Sequence, residues 1–296
     1  MVRGVLAGLL AGALWGLVFV APRMVEGFSG VDLAAGRFLA YGLVALAVVG
    51  FSGRRLPDAR QALAAAGLSL LGFTGYYLLL VFAIRDAGSE VPTLVIGTIP
   101  LWIMLLGKPG HLRWRALAPA LLLTACGLAL MMAVPAVGGS GEAPPPHYWR
   151  GVLLATCSLA CWTAFALLNS AWLKRHPEVN ATDWANWLGL ATGAGALLLW
   201  AVAGSGVASL RAQPQAGLFL VLCVATGFGS AWLATILWNV ASQRLPASLC
   251  GQLIVSETLF ALAYSFAWDR SWPGPVQLAA VAMFSLGILV AIKVHR

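Results

Sequence analysis

The sequence predicts an all-α integral membrane protein of ten transmembrane helices, arranged as two inverted five-helix repeats around a central cavity. Three observations carry this. Hydrophobic residues make up 60% of the 296 and charged residues only 9%, where a soluble domain carries about 25% charged residues. The chain divides into ten apolar stretches, each close to the ~20 residues that cross ~30 Å of hydrocarbon. A Gly/Ser/Pro-rich stretch then splits them into halves of five. Five is odd, so the second half starts on the opposite side of the membrane from the first.

The first segment, 4–21, follows Met1-Val2-Arg3 directly. No small-x-small cleavage site leads into a polar region, so it reads as a retained helix rather than a signal peptide. Gly4, Gly8, Gly12 and Gly16 recur every four residues on one of its faces, a pattern for close helix approach that also permits sliding. The second segment, 31–52, begins after the turn Glu26-Gly27-Phe28-Ser29-Gly30 and carries Arg37 near its start. The third, 61–85, follows Arg54-Arg55-Leu56-Pro57-Asp58 and carries Tyr76 and Tyr77. The fourth, 90–107, holds Pro92, Pro100 and Trp102, and the fifth, 116–135, holds Pro119. Membrane helices tolerate proline where neighbours satisfy the freed carbonyls.

Residues 137–149 form the linker, Val137-Gly138-Gly139-Ser140-Gly141-Glu142-Ala143-Pro144-Pro145-Pro146 at its heart, too poor in apolar side chains to hold a core. It divides a first repeat, 1–136, from a second, 150–296. The second repeat's segments run 150–173, 183–204, 217–241, 246–268 and 273–293. An internal echo accords with duplication: Gly4-Val5-Leu6, Ala13 and Trp15 match Gly151-Val152-Leu153, Ala160 and Trp162, five identities in twelve positions.

Charge sets the orientation. With the amino terminus inside, cytoplasmic ends carry Arg3, Arg54, Arg55, Arg60, Lys108, Arg113, Arg115, Lys174, Arg175, Arg244, Lys293 and Arg296. The opposite ends carry Arg23, Arg85, Arg150, Arg211 and Arg270. Both termini are therefore expected in the cytoplasm of a bacterial-type inner membrane. The net charge of +8 is spread over loop ends rather than gathered in a patch, which speaks against nucleic acid. Cys126, Cys157, Cys161, Cys223 and Cys250 all lie in apolar segments without nearby His or acid, so neither a disulfide frame, a metal site nor a cofactor is expected.

Glu257 lies mid-span between Leu253-Ile254-Val255 and Leu259-Phe260-Ala261. An ionisable group at that depth is costly and faces a cavity or a partner. It reads either as a cavity acid or as a neutral structural group. Arg37 reads either as a snorkelling side chain or as one reaching a substrate carboxylate or Glu257. Trp15 and Trp162 divide evenly between packing and cavity lining, and Tyr76, Tyr77 and Trp102 are further lining candidates. Asn169, Asn186, Asn239 and Gln252 read first as interhelical hydrogen-bonding groups. Trp184, Trp187, Trp238 and Trp268 read as interface anchors. His111, His147, His176 and His295 read as solvated loop and tail residues.

Several short motifs, in order, give the chain a family likeness. They are Trp15-Gly16-x-x-Phe19, Arg37-Phe38-x-Ala40, Ile99-Pro100-Leu101, Trp238-Asn239-x-Ala241, Leu245-Pro246-Ala247-Ser248 and Glu257-x-x-Phe260-Ala261, with Gln277 and Gly287 in the last helix. Together the chain resembles the drug/metabolite transporter superfamily in its ten-helix EamA-type branch. Thr258, where the family often has proline, and Trp268-Asp269-Arg270 depart from its pattern. The aromatic content leans toward the YddG-like exporters of amino acids.

The resemblance implies a secondary transporter exporting small amphipathic metabolites, amino acids including aromatic ones foremost, by alternating access. The alternative is efflux of drugs or cationic amphiphiles. Trp15, Tyr76, Tyr77, Trp102, Trp162, Glu257 and Arg37 are the expected substrate-binding set; Gly4, Gly8, Gly12, Gly16 and Pro100 are expected in packing or gating. The expected partners are a small-molecule substrate and the lipid bilayer, and a monomer suffices. No P-loop is present to use ATP. An enzyme is not expected, because no His lies in a span beside a nucleophile and no pair of membrane aspartates exists.

Overall fold

The computed structural model describes residues 1–25, 27–53, 55–133 and 146–296. The described residues form helices and connecting turns, without a strand. Among the described residues nine helices are long and apolar enough to span a bilayer: α1 Val2–Met24, α2 Gly30–Phe51, α3 Ala59–Ala87, α5 Trp114–Ala133, α6 Tyr148–Arg175, α7 Ala181–Ala203, α8 Ala216–Arg244, α9 Ala247–Asp269 and α10 Pro275–Val294. Between α3 and α5 runs a shorter apolar helix, α4 Glu90–Leu106. The expected ten segments are all present as helix, within a few residues of their expected bounds. The expected linker lies largely outside the described residues, as do Glu26 and Arg54.

Helix starts carry their own signals. Ser29 Oγ accepts from Asp32 N at 3.1 Å and Asn180 Oδ1 from Asp183 N at 2.8 Å, opening α2 and α7 in the same way. Asp58 and Gln61 form a reciprocal capping box at α3. Each such cap stabilises its helix by about 1 kcal/mol. The fourth segment is not one continuous helix. It breaks at Thr98, and Pro100 falls in the first turn of the second half, where its missing N–H costs nothing. Thr98 Oγ1 donates to the Val95 carbonyl at 2.6 Å, which also accepts from Thr98 N at 3.1 Å. Helices α3 and α8 each contain a π-helical stretch, Leu70–Thr74 and Gly227–Leu233, and α1 ends in 3₁₀ turns.

The most extensive helix pairs join the two parts of the chain: α2 with α7, α5 with α10, α3 with α6, α1 with α8 and α9, and α4 with α9. Close crossings occur where glycines meet. A Cβ on Gly42 of α2 would lie 2.6 Å from Gly193 Cα of α7, so only glycine allows that approach. Interhelical bonds reinforce it: Tyr41 Oη donates to Ala185 O at 2.6 Å, and Ser69 and Thr192 hydroxyls meet at 2.8 Å.

The helix ends gather into two groups. Ser248 N donates to Gly107 O, Lys174 Nζ to Leu245 O, Trp187 Nε1 to Arg55 O, and Ser248 Oγ meets His295 Nε2. The Cβ position of Gly4 touches Leu245. Both termini therefore share one end. At the other end Ser205 donates to Asp32, Arg150 pairs with Asp86, and Arg23 pairs with Asp269.

Candidate functional site

The glycine face of α1 packs on α9 along its whole length. Cβ atoms on Gly4, Gly8, Gly12 and Gly16 would meet Leu245, Leu253, Ser256 and the Glu257 N, and the Ala261 N and Glu257 O respectively. The Glu257 backbone thus sits where the two helices touch most closely. Residues Ser248–Ser256 of α9 are buried without interruption; from Glu257 to Phe260 burial becomes partial. Glu257 is deep in the bundle yet half-buried rather than sealed.

Arg37 on α2 is likewise deep and half-buried. It lies within electrostatic reach of Glu257, Tyr76 and Tyr77, and its guanidinium stands 4.9 Å from the Phe38 ring centroid. Arg37 and Glu257 approach without forming an ion pair, and Arg37 Nε is buried with no hydrogen-bond partner among the described residues. An unanswered buried donor of this kind costs about 1–3 kcal/mol. Tyr76 and Tyr77 follow the π stretch of α3, whose widened turn re-aims the residues after it. Ser158 of α6 donates to the Tyr76 carbonyl at 2.9 Å, and Tyr77 Oη donates to Gly30 O at 3.3 Å.

Trp15 and Trp162 are brought together, edge to face with centroids 6.3 Å apart. Ser230 of α8 donates to Leu14 O at 2.6 Å, fixing the turn that carries Trp15. A third indole, Trp238, completes the group at 5.4 Å from Trp15 and 6.4 Å from Trp162. From Trp162 the rings continue through Phe165 and Phe73 to Phe38 and Tyr77. The result is an aromatic wall running from the tryptophans to the arginine.

Four readings need correction. Trp102 does not join this wall: it is 46% exposed and makes no ring contact among the described residues. Trp184, Trp187 and Trp238 are buried, not interface anchors. Trp184 stacks on Trp172 at 3.6 Å and donates to Asn169 Oδ1, and Trp238 Nε1 is buried without a partner. His295 is not a solvated tail residue but is held by Ser248 and by the Ala291 carbonyl. Pro100 marks a helix break rather than a helix interior. Trp238 was hidden because it lies six residues from Arg244 and a residue near a helix end resembles an anchor; only the crossing of α8 with α1 and α6 turns it inward.

The membrane amides do bond between helices. Asn169 Nδ2 donates to Asn239 Oδ1 at 3.1 Å, Trp232 Nε1 to Asn186 Oδ1 at 2.8 Å, and Gln252 exchanges bonds with Thr124. Asn169, Asn239 and Gln252 lie between Glu257 and the end that holds the termini, closing that side with satisfied polar groups. Two concavities lie at the ends, about 540 Å³ beside Lys174 and Arg244 and about 350 Å³ beside Trp272.

Residues 2–133 match the EamA-like transporter family. The inner membrane protein YtfF of Escherichia coli (strain K12) is 34% identical over 307 aligned residues, spanning 99% of this chain and 96% of that protein. The chain belongs to the EamA-like transporter family. This EamA-type chain also shares its fold with a solved crystal structure at a TM-score of 0.78 and 24% identity, covering 98% of both chains. It is a membrane transporter, and these relatives give no separate support to the YddG-like branch.

Proposed function

We propose that this EamA-type protein is a secondary transporter that exports small zwitterionic or amphipathic metabolites, amino acids including aromatic ones foremost, across the inner membrane. The observation that carries the reading is the approach of Arg37 and Glu257, unpaired and half-buried deep in the bundle, at the end of an aromatic wall. A cation and an acid held apart match the carboxylate and ammonium of an amino acid, and the rings match an apolar side chain. Arg37 disfavours the alternative of a simple cationic amphiphile, whose charge it would repel.

Alternating access follows from two inverted halves, 1–136 and 150–296. Three correspondences support them: the π stretches in α3 and α8, the matching caps of α2 and α7, and the exchange of helix pairs when each helix is moved five places along the chain. Inverted repeats place a site at their interface near mid-membrane. The unbroken burial of α9 from Ser248 to Ser256, loosening from Glu257 onward, fits a state closed toward the termini and open toward the other end. With the basic ends inside, that is an outward-open state, and both termini are cytoplasmic.

The test is uptake of labelled amino acids, aromatic ones first, into proteoliposomes with and without a pH gradient. Saturable uptake of zwitterions above protein-free vesicles supports the reading. Uptake restricted to cationic amphiphiles would replace it with the alternative.

A further inference from the structure

The concavity of about 540 Å³ at the termini end is walled by both parts of the chain and shares no lining residue with the aromatic wall. Its α6 wall is Leu167, Ser170, Ala171 and Lys174, spaced as one helical face. Along that face it extends about 10 Å from the basic end into the hydrocarbon. Its polarity grades with depth: Lys174, Arg244 and His111 surround the mouth, and Leu167 and Ala171 line the inner part. No acid lines it among the described residues. One Lys174 N–H is used on Leu245 O at 2.7 Å, leaving two donors of its ammonium unclaimed. Arg244 is exposed and takes part in no ion pair among the described residues.

We propose that this cavity binds an anionic phospholipid, its phosphate between Lys174 and Arg244 and its upper acyl chain against Leu167 and Ala171. A soluble anion has no use for the apolar depth, whereas a lipid fits both parts. The surrounding end carries the protein's excess of basic residues, which favours the leaflet richest in anionic lipid. The occupant would touch the Gly107–His111 loop, the end of α6 and the α8–α9 turn together, the elements that close this end.

The test measures the thermal midpoint of the purified protein in detergent against added phosphatidylglycerol or phosphatidylcholine. Phosphatidylglycerol should stabilise at lower concentration than phosphatidylcholine. Arg244→Gln and Lys174→Gln should each raise the half-maximal concentration about fivefold. Arg244→Lys should keep the wild-type response, and Arg175→Gln, basic but outside the cavity, should too. Equal response to both lipids, an unchanged response in Arg244→Gln, or equal weakening in Arg175→Gln would overturn the proposal. So would inorganic phosphate producing the same stabilisation without lipid, because that would make the cavity a soluble-anion site.

Discussion

At the residue scale, the chemistry turns on Arg37 and Glu257. Each sits where a charge is costly in a membrane, and neither has an ion-pair partner among the described residues. If Glu257 meets the substrate ammonium, Glu257→Gln should lower zwitterion transport tenfold or more in proteoliposomes while leaving expression and the thermal midpoint close to wild type. Unchanged kinetics would remove Glu257 from the site. Trp238 offers a second test, because its buried indole N–H lacks an acceptor. Trp238→Phe sets about 1–3 kcal/mol of relieved desolvation against the cavity left by the smaller ring, so the thermal midpoint should stay close to wild type. Trp15→Ala and Trp162→Ala should change substrate preference, and Trp268→Ala, half-exposed at a helix end, should not. Glu257 was legible in the sequence because charge in an apolar run is conspicuous. The inward turn of Trp238 and the outward turn of Trp102 were not legible, since a helix's rotation is set by neighbours that the local sequence does not name.

At the scale of the element, glycine decides how closely helices approach. Gly12 and Gly16 let α1 lie on the backbone of α9 at Glu257, and Gly42 and Gly193 do the same for α2 and α7. Gly42→Leu should lower the thermal midpoint by several degrees, since overpacking a tight contact costs about 1–3 kcal/mol. Gly50→Leu, whose Cβ would meet nothing within 4 Å, should not. The four-residue glycine ladder was plain in the sequence, and it packs as its spacing indicated. The α4 break was only half visible: Pro100 marks the region, but a proline in a membrane segment does not say whether the helix bends or stops, and it stops at Thr98.

Across the whole molecule, closure of the termini end joins α4, α9 and α10 through Gly107, Ser248 and His295. Burial holds the His295 ring below the ordinary histidine value of 6.5, against the opposing bond to Ala291 and with help from His111. The sign follows: a histidine with a lowered folded-state value stabilises the fold when neutral, and that contribution is lost as pH falls below 6.5. Wild type should therefore lose more thermal stability between pH 7.5 and 5.5 than His295→Gln. Equal losses would show that His295 takes no part. Hydropathy alone made the helical membrane fold legible, and loop charges made the shared end of the termini legible. The pairing of helices across the chain needed three dimensions.

The central claim is a water-reached chamber beside Glu257 that opens toward the end away from the termini. A membrane-impermeant thiol reagent, applied to either face of oriented vesicles carrying Tyr76→Cys in a background free of the five native cysteines, tests it most directly. Labelling should occur from the face opposite the termini and fall when an amino-acid substrate is present. Absence of labelling from both faces would mean that the seam is dry and that nothing passes there.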